Sequence, residues 1–174
     1  MRALSTALLL SLAATTAGAG GAPLRGVWEP RELEFAYLGV VTHYSCEAIE
    51  ARLAKLLRRL GARNVEVDPA PCFYDGSVQG MYKLRARYEV LRPAPAAAAE
   101  GTVAAAPGKV VIDRNTLGLI SDNDCELIER FVRYGLPKTD WDVLGGKVGC
   151  NATRSAVLGK LELETLLPID EAGS

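Results

Sequence analysis

The sequence carries one histidine, His43, and two methionines among its 174 residues. A single histidine leaves few routes to general-base catalysis or to a His-rich metal site. No G-x-S-x-G elbow, S-x-x-K pair or phosphate-binding glycine loop is present. The glycines at 145, 146 and 149 precede no helix of the right form. Aromatic residues make up only 6% of the chain, and no basic stretch interleaves with them, so nucleic acid is not an expected partner. No apolar run reaches the roughly 20 residues that span a bilayer as a helix. Charge names no partner class either, because 20 basic residues balance 21 acidic ones.

What is present begins at the N-terminus. Met1-Arg2 is a short positive start, Ala3 to Ala14 is mostly apolar, and Thr15 to Ala22 is small. This is the pattern of a cleavable export signal. Ala17-Gly18-Ala19 places cleavage after Ala19, with a second site after Ala22. The expected organisation is a signal peptide over 1–19, a lead-in over 20–34, one domain over 35–167 and a loose tail over 168–174. Localisation is then periplasmic or secreted, and the mature chain carries no membrane span.

Export gives the four cysteines a meaning. An even number in an oxidising compartment points to disulfides. Phe35 to Tyr44 reads as a buried strand, and Ser45 is a good N-cap for a helix over Cys46 to Leu60. Ile49, Leu53, Leu56, Leu57 and Leu60 form its apolar stripe, and Gly61 stops it. Asn64 to Val67 is a short strand. A right-handed strand–helix–strand unit returns Cys72 to the end of the sheet that holds Cys46. Cys46–Cys72 follows, and Cys125–Cys150 remains. An extra hairpin that brought Cys125 to the same end as Cys46 would allow other pairings.

Tyr82 to Val90 alternates with Lys83, Arg85, Arg87 and Glu89, as a half-solvated strand does. Its basic residues are a solvated face or a site for something acidic. The Ala/Pro-rich stretch 93–108 reads as a flexible loop, and Lys109 to Ile112 as a strand. A second helix opens with Asn123 as N-cap and Glu126 at N3. Leu127, Ile128, Phe131 and Val132 form its apolar face, and Gly135 ends it. Trp141 to Leu144 is a short strand, Gly145-Gly146 a turn, and Lys160 to Leu166 a final strand. No internal repeat is evident. The fold class is α+β: two helices on a mainly antiparallel sheet, ferredoxin-like with an extra hairpin.

Sharper chemistries have thin support. His43-Tyr44-Ser45-Cys46 is an H-x-x-C at a strand-to-helix turn. It resembles the M-x-C-x-x-C turn of heavy-metal-associated domains, with His43 in place of the first cysteine and no preceding methionine. One histidine and one cysteine do not complete a zinc or copper site. Cys46 and Cys125 both lie near helix starts, which favours thiolates, but no C-x-x-C exists for thiol exchange. The acidic pairs Asp122/Asp124 and Asp140/Asp142 could serve a carboxylate-based hydrolase; caps and turns explain them as well. Asn151-Ala152-Thr153 matches a glycosylation acceptor.

The segments THYSCEAIEARLAKLLRRLGARNVEV and NDCELIERFV resemble an uncharacterised family of exported bacterial proteins. The resemblance implies a periplasmic or secreted location and recurrent cysteines, and no activity. The expectation is therefore an exported, disulfide-bonded, non-enzymatic domain with no catalytic residue and no cofactor, binding a protein or envelope partner. Metal binding through His43 and Cys46 is the alternative, and a carboxylate hydrolase the further one.

Overall fold

The computed structural model describes residues 24–72, 77–95, 100–113, 124–153 and 157–169. Signal peptide and cleavage site, Asp75-Gly76, the helix start at 121–123 and most of the tail lie outside these residues.

Six strands and two helices follow the expected order: β1 (Leu24–Leu38), α1 (Cys46–Arg59), β2 (Arg63–Ala70), β3 (Met81–Pro93), β4 (Val103–Ile112), α2 (Cys125–Arg130), β5 (Asp142–Cys150) and β6 (Val157–Pro168). All six strands join one antiparallel sheet in the order β2-β3-β1-β4-β6-β5. The fold is α+β.

Alternation builds the first half. Leu33, Phe35 and Tyr37 of β1 and Tyr82, Leu84, Ala86 and Tyr88 of β3 turn inward, and α1 lays Ile49, Leu53, Leu56 and Leu57 over them. Ser45 caps α1, its side chain accepting from the Ala48 N–H at 3.3 Å. Gly61 sits at φ +89°, the left-handed residue that a helix end favours. Ile112, Leu161, Leu163 and Phe131 extend the same core into the second half.

Several boundaries depart from the sequence reading. The lead-in is already sheet, because β1 starts at Leu24. Pro30 is tolerated there since β1 has only β3 beside it at that point, so one side has no ladder to interrupt. The first strand stops at Leu38, and Gly39 to His43 form a loop. The Ala/Pro stretch becomes strand from Val103, where pairing with β6 supplies what propensity does not. Gly108 permits that pairing: a Cβ there would meet the Leu167 side chain at 2.3 Å. Gly145 and Gly146 are no turn; both pair with β6, just past a bulge between Val143 and Gly145. The second helix passes through Gly135 as a π segment over Phe131–Gly135 and a 3₁₀ turn over Leu136–Lys138. Gly135 itself is right-handed, and its missing Cβ makes room for Phe131.

The topology also corrects the reading of no internal repeat. β1-α1-β2-β3 and β4-α2-β5-β6 are one strand–helix–strand–strand module used twice. The sheet order runs β2-β3-β1 in the first and β5-β6-β4 in the second, so the modules meet head to head through β1 and β4. Each bridge joins the first residue of a helix to the end of the strand after it, at the last residue of β5 and two residues past β2. Cys46 bonds Cys72 and Cys125 bonds Cys150, at sequence separations of 26 and 25. Both helices open on the same pattern, Cys46-Glu47-Ala48-Ile49-Glu50 and Cys125-Glu126-Leu127-Ile128-Glu129.

Candidate functional site

The loop between β1 and α1 gathers the most organised polar contacts among the described residues. Its backbone must turn away from the sheet, which leaves several N–H groups without a ladder. One carboxylate meets three of them. Glu126, 1% exposed, accepts from the N–H of Val40 at 3.0 Å, Val41 at 3.0 Å and Thr42 at 2.8 Å. Tyr37 donates its hydroxyl to the Thr42 carbonyl at 2.7 Å, and the Gly39 N–H donates to the Gly80 carbonyl at 2.7 Å. Tyr44 pairs with Gln79 through two backbone bonds, and its carbonyl also accepts from the Tyr82 hydroxyl at 2.6 Å. Charge-assisted bonds of this kind are about twice as strong as neutral ones.

Asp124 completes the support. Its carboxylate accepts from the Tyr44 hydroxyl at 3.0 Å and pairs with Arg52 of α1. Burial, outweighing Arg52 and the Tyr44 hydrogen bond, holds the Asp124 carboxyl above its ordinary range. Burial also raises the Tyr44 phenol, followed by the nearby charge of Asp124. The Cys46–Cys72 bridge closes the same end of the module.

This framework presents apolar side chains to water. Val40 is 62% exposed, Val41 61%, Val78 60% and Met81 64%, and Leu38 faces Met81 across β1 and β3. Single exposed apolar residues are ordinary, but five drawn from adjoining segments form a patch of the kind that marks interaction surfaces. His43 is exposed beside it, against Gly80, where a Cβ would come within 2.9 Å of the ring.

The sites expected from sequence are distributed differently. His43 and Cys46 do not make a metal pair, because Cys46 is buried and bonded to Cys72. Among the described residues no group of three or more His, Cys, Asp or Glu side chains is placed to hold a metal ion. Both helix-start cysteines are in bridges, and no cysteine is free. The acidic pairs do not converge either. Asp122 lies outside the described residues, and Asp124 is buried before α2. Asp140 and Asp142 follow the 3₁₀ turn at the other end of that helical stretch. Asp140 is held below the usual carboxylate range by its hydrogen bond from Arg31. Asn151 and Thr153 are described, with Asn151 half-buried just past β5.

The basic row of β3 is already neutralised. Lys83 pairs with Glu34 at 2.9 Å, Arg85 with Glu34 at 3.2 Å and Glu32 at 3.3 Å, and Arg87 with Glu66 at 3.7 Å. A solvated ion-pair ladder accounts for these residues. Sequence reasoning missed Glu126. Its position at N3 signalled a helix cap, whereas the side chain leaves its own helix for the first module's loop.

Compared with protein-family models, curated proteins and solved structures, the chain matches none. No helix among the described residues is long and apolar enough to cross a membrane.

Proposed function

We propose that this chain is an exported, non-enzymatic domain that docks a protein partner through the patch around Val40, Val41, Val78 and Met81. The observation that supports this most is the rigid support beneath the patch. Three backbone N–H groups on one buried carboxylate hold Val40 and Val41 outward. A pre-ordered apolar surface loses little entropy on binding, which is the economy a docking site needs.

The export reading rests on the N-terminal pattern, with cleavage after Ala19 and delivery to the periplasm or the exterior. The two bridges fit an oxidising compartment. The resemblance to an uncharacterised exported bacterial family belongs to the same proposal. So does the ferredoxin-like likeness, for which the support is the spatial order β2-β3-β1-β4, although here β4 precedes α2 instead of following it.

The test is photo-crosslinking in the producing cell. A crosslinking residue replaces Val41 and, in a control, exposed Lys147 of β5. A defined protein adduct at 41, absent at 147 and lost on Met81→Glu, is the expected result. No adduct at 41, or the same adducts at both positions, refutes the docking site. The mass of the exported protein tests cleavage: retention of residues 1–19 refutes the signal peptide.

A further inference from the structure

At the other end of β1 the sheet parts. β1 and β4 pair only from Leu24 to Gly26 against Val103 to Ala105. The two modules diverge beyond that seam and leave a groove of about 270 Å³. This is close to the lower limit of small-ligand sites. Leu24, Leu91, Pro107 and Leu166 supply apolar lining, and Tyr88 stacks on Trp141 with ring centroids 5.8 Å apart and planes at 16°. Burial pushes the Tyr88 phenol up to about 12, so the wall stays neutral.

Two needs in this groove are unmet among the described residues. Trp141 lines it and is 8% exposed, yet its buried indole N–H has no acceptor. A buried donor left unpaired costs about 1–3 kcal/mol, and such groups in native proteins call for an explanation. The second need is charge. Asp142 and Glu164 both line the groove and face each other directly across β5 and β6. Like charges in that position repel. Lys109 of β4 stands across from Glu164, but its ammonium bonds Glu162 at 3.1 Å, and no ion pair among the described residues engages Asp142 or Glu164. The groove's arginines are committed elsewhere: Arg31 bonds Asp140 at 2.5 Å and Glu29 at 2.7 Å, and Arg92 donates to the Asp140 carbonyl at 3.2 Å.

We infer that the groove binds a lysine or arginine residue of a peptide. Its side-chain cation sits between Asp142 and Glu164, and an adjoining main-chain carbonyl accepts from the Trp141 indole. The third carboxylate in the lining, Asp140, is held by Arg31, and the two that remain suit an organic monocation better than a divalent metal, which takes six or more oxygen ligands. The aromatic wall adds attraction for a cation. The site is separate from the proposed docking patch, at the opposite end of β1, and stands or falls independently of it.

The test follows the Trp141 indole N–H by NMR in the intact protein. N-acetyl-arginine-N-methylamide and its lysine counterpart are titrated beside the neutral citrulline analogue and glucosamine. The expected result is a saturable shift of the Trp141 signal with the two basic probes and little response to citrulline. Asp142→Asn with Glu164→Gln weakens binding about tenfold or more, as loss of charge-assisted contacts does. Both side chains are exposed, and the double variant melts at or above the wild-type temperature because a repulsion is removed, which separates lost binding from lost folding. Absence of a saturable shift at tens of millimolar overturns the proposal. Equal binding of citrulline, binding unchanged in the double variant, or a response to glucosamine alone does so as well.

Discussion

The two modules start their helices alike and use the shared residues differently. Glu47 follows Cys46 and lies exposed in the first turn of α1. Glu126 follows Cys125 and is buried against three backbone N–H groups of the opposite module. The helices diverge too. α1 runs for 14 residues with a capped start and a glycine stop, whereas α2 gives way after six residues to a π segment and a 3₁₀ turn. One module keeps a self-sufficient helix. The other gives up regularity to cross the seam, packing Phe131 on Phe35 and sending Glu126 into the β1–α1 loop. The two modules have the same parts, and contact between them gives those parts separate tasks.

The disulfides test how deep the equivalence goes. Replacing Cys46 and Cys72 by serine, or Cys125 and Cys150, is expected to lower stability by about 3 kcal/mol each. The costs should be nearly equal because the closed loops are nearly equal. Urea unfolding of the two variants measures this, and a gap of more than about 2 kcal/mol would show that packing rather than chain closure dominates.

Next in size is the contrast between the glutamates. Glu126→Ala strands three N–H groups and should cost about 3 kcal/mol, against less than about 0.5 for Glu47→Ala. Amide exchange at Val40, Val41 and Thr42 should accelerate in the first variant only. Equal losses would end the argument that the two positions differ.

The glycines at the helix ends provide a smaller contrast. Gly61→Ala places a side chain at φ +89° and near Leu167, at a cost of about 1–2 kcal/mol. Gly135→Ala has an ordinary backbone but drives a Cβ to 2.9 Å from the Phe131 ring, costing about 1–3 kcal/mol through overpacking. The two therefore differ in rescue. Phe131→Leu should recover part of the Gly135→Ala loss and none of that at Gly61, as read from thermal melting of the double variants.

The pH response separates buried from exposed acids. Burial raises Asp124, so the folded state holds that proton more tightly than the unfolded chain. Its contribution to stability is greatest at low pH and falls as pH rises from the unfolded carboxylate value through the folded one. Asp140 is lowered by Arg31 and has the opposite sign: its contribution is present above the ordinary range and lost as pH falls. Urea midpoints between pH 3 and 7 should therefore lose a descending component in Asp124→Asn and an ascending one in Asp140→Asn. The smallest expected effect is on the β3 ladder, where Arg85→Ala should change stability by less than about 1 kcal/mol and only at low salt.

Much of the first module was legible. α1 has a capping serine, a leucine stripe and a terminal glycine within the seventeen residues from Ser45 to Gly61, and each signal is local. The alternation of β3 was equally plain. β4 was hidden because Val103 to Gly108 is a poor strand sequence that pairs only because β6 and the start of β1 lie beside it. The repeat was hidden because two copies of Cys-Glu-x-Ile-Glu are short and the helices that follow differ in form.

By itself the sequence determined the first helix, the order of strands and helices, and a crossover that sets Cys46 beside Cys72. Those follow from local propensity, periodicity and the handedness of a strand–helix–strand connection. Tertiary structure alone decided that Glu126 leaves its own helix to hold Val40 and Val41 outward. It also decided that Trp141, Asp142 and Glu164 share one groove. Both depend on how the two modules meet, and residues about 85 positions apart in the chain carry no local sign of that contact.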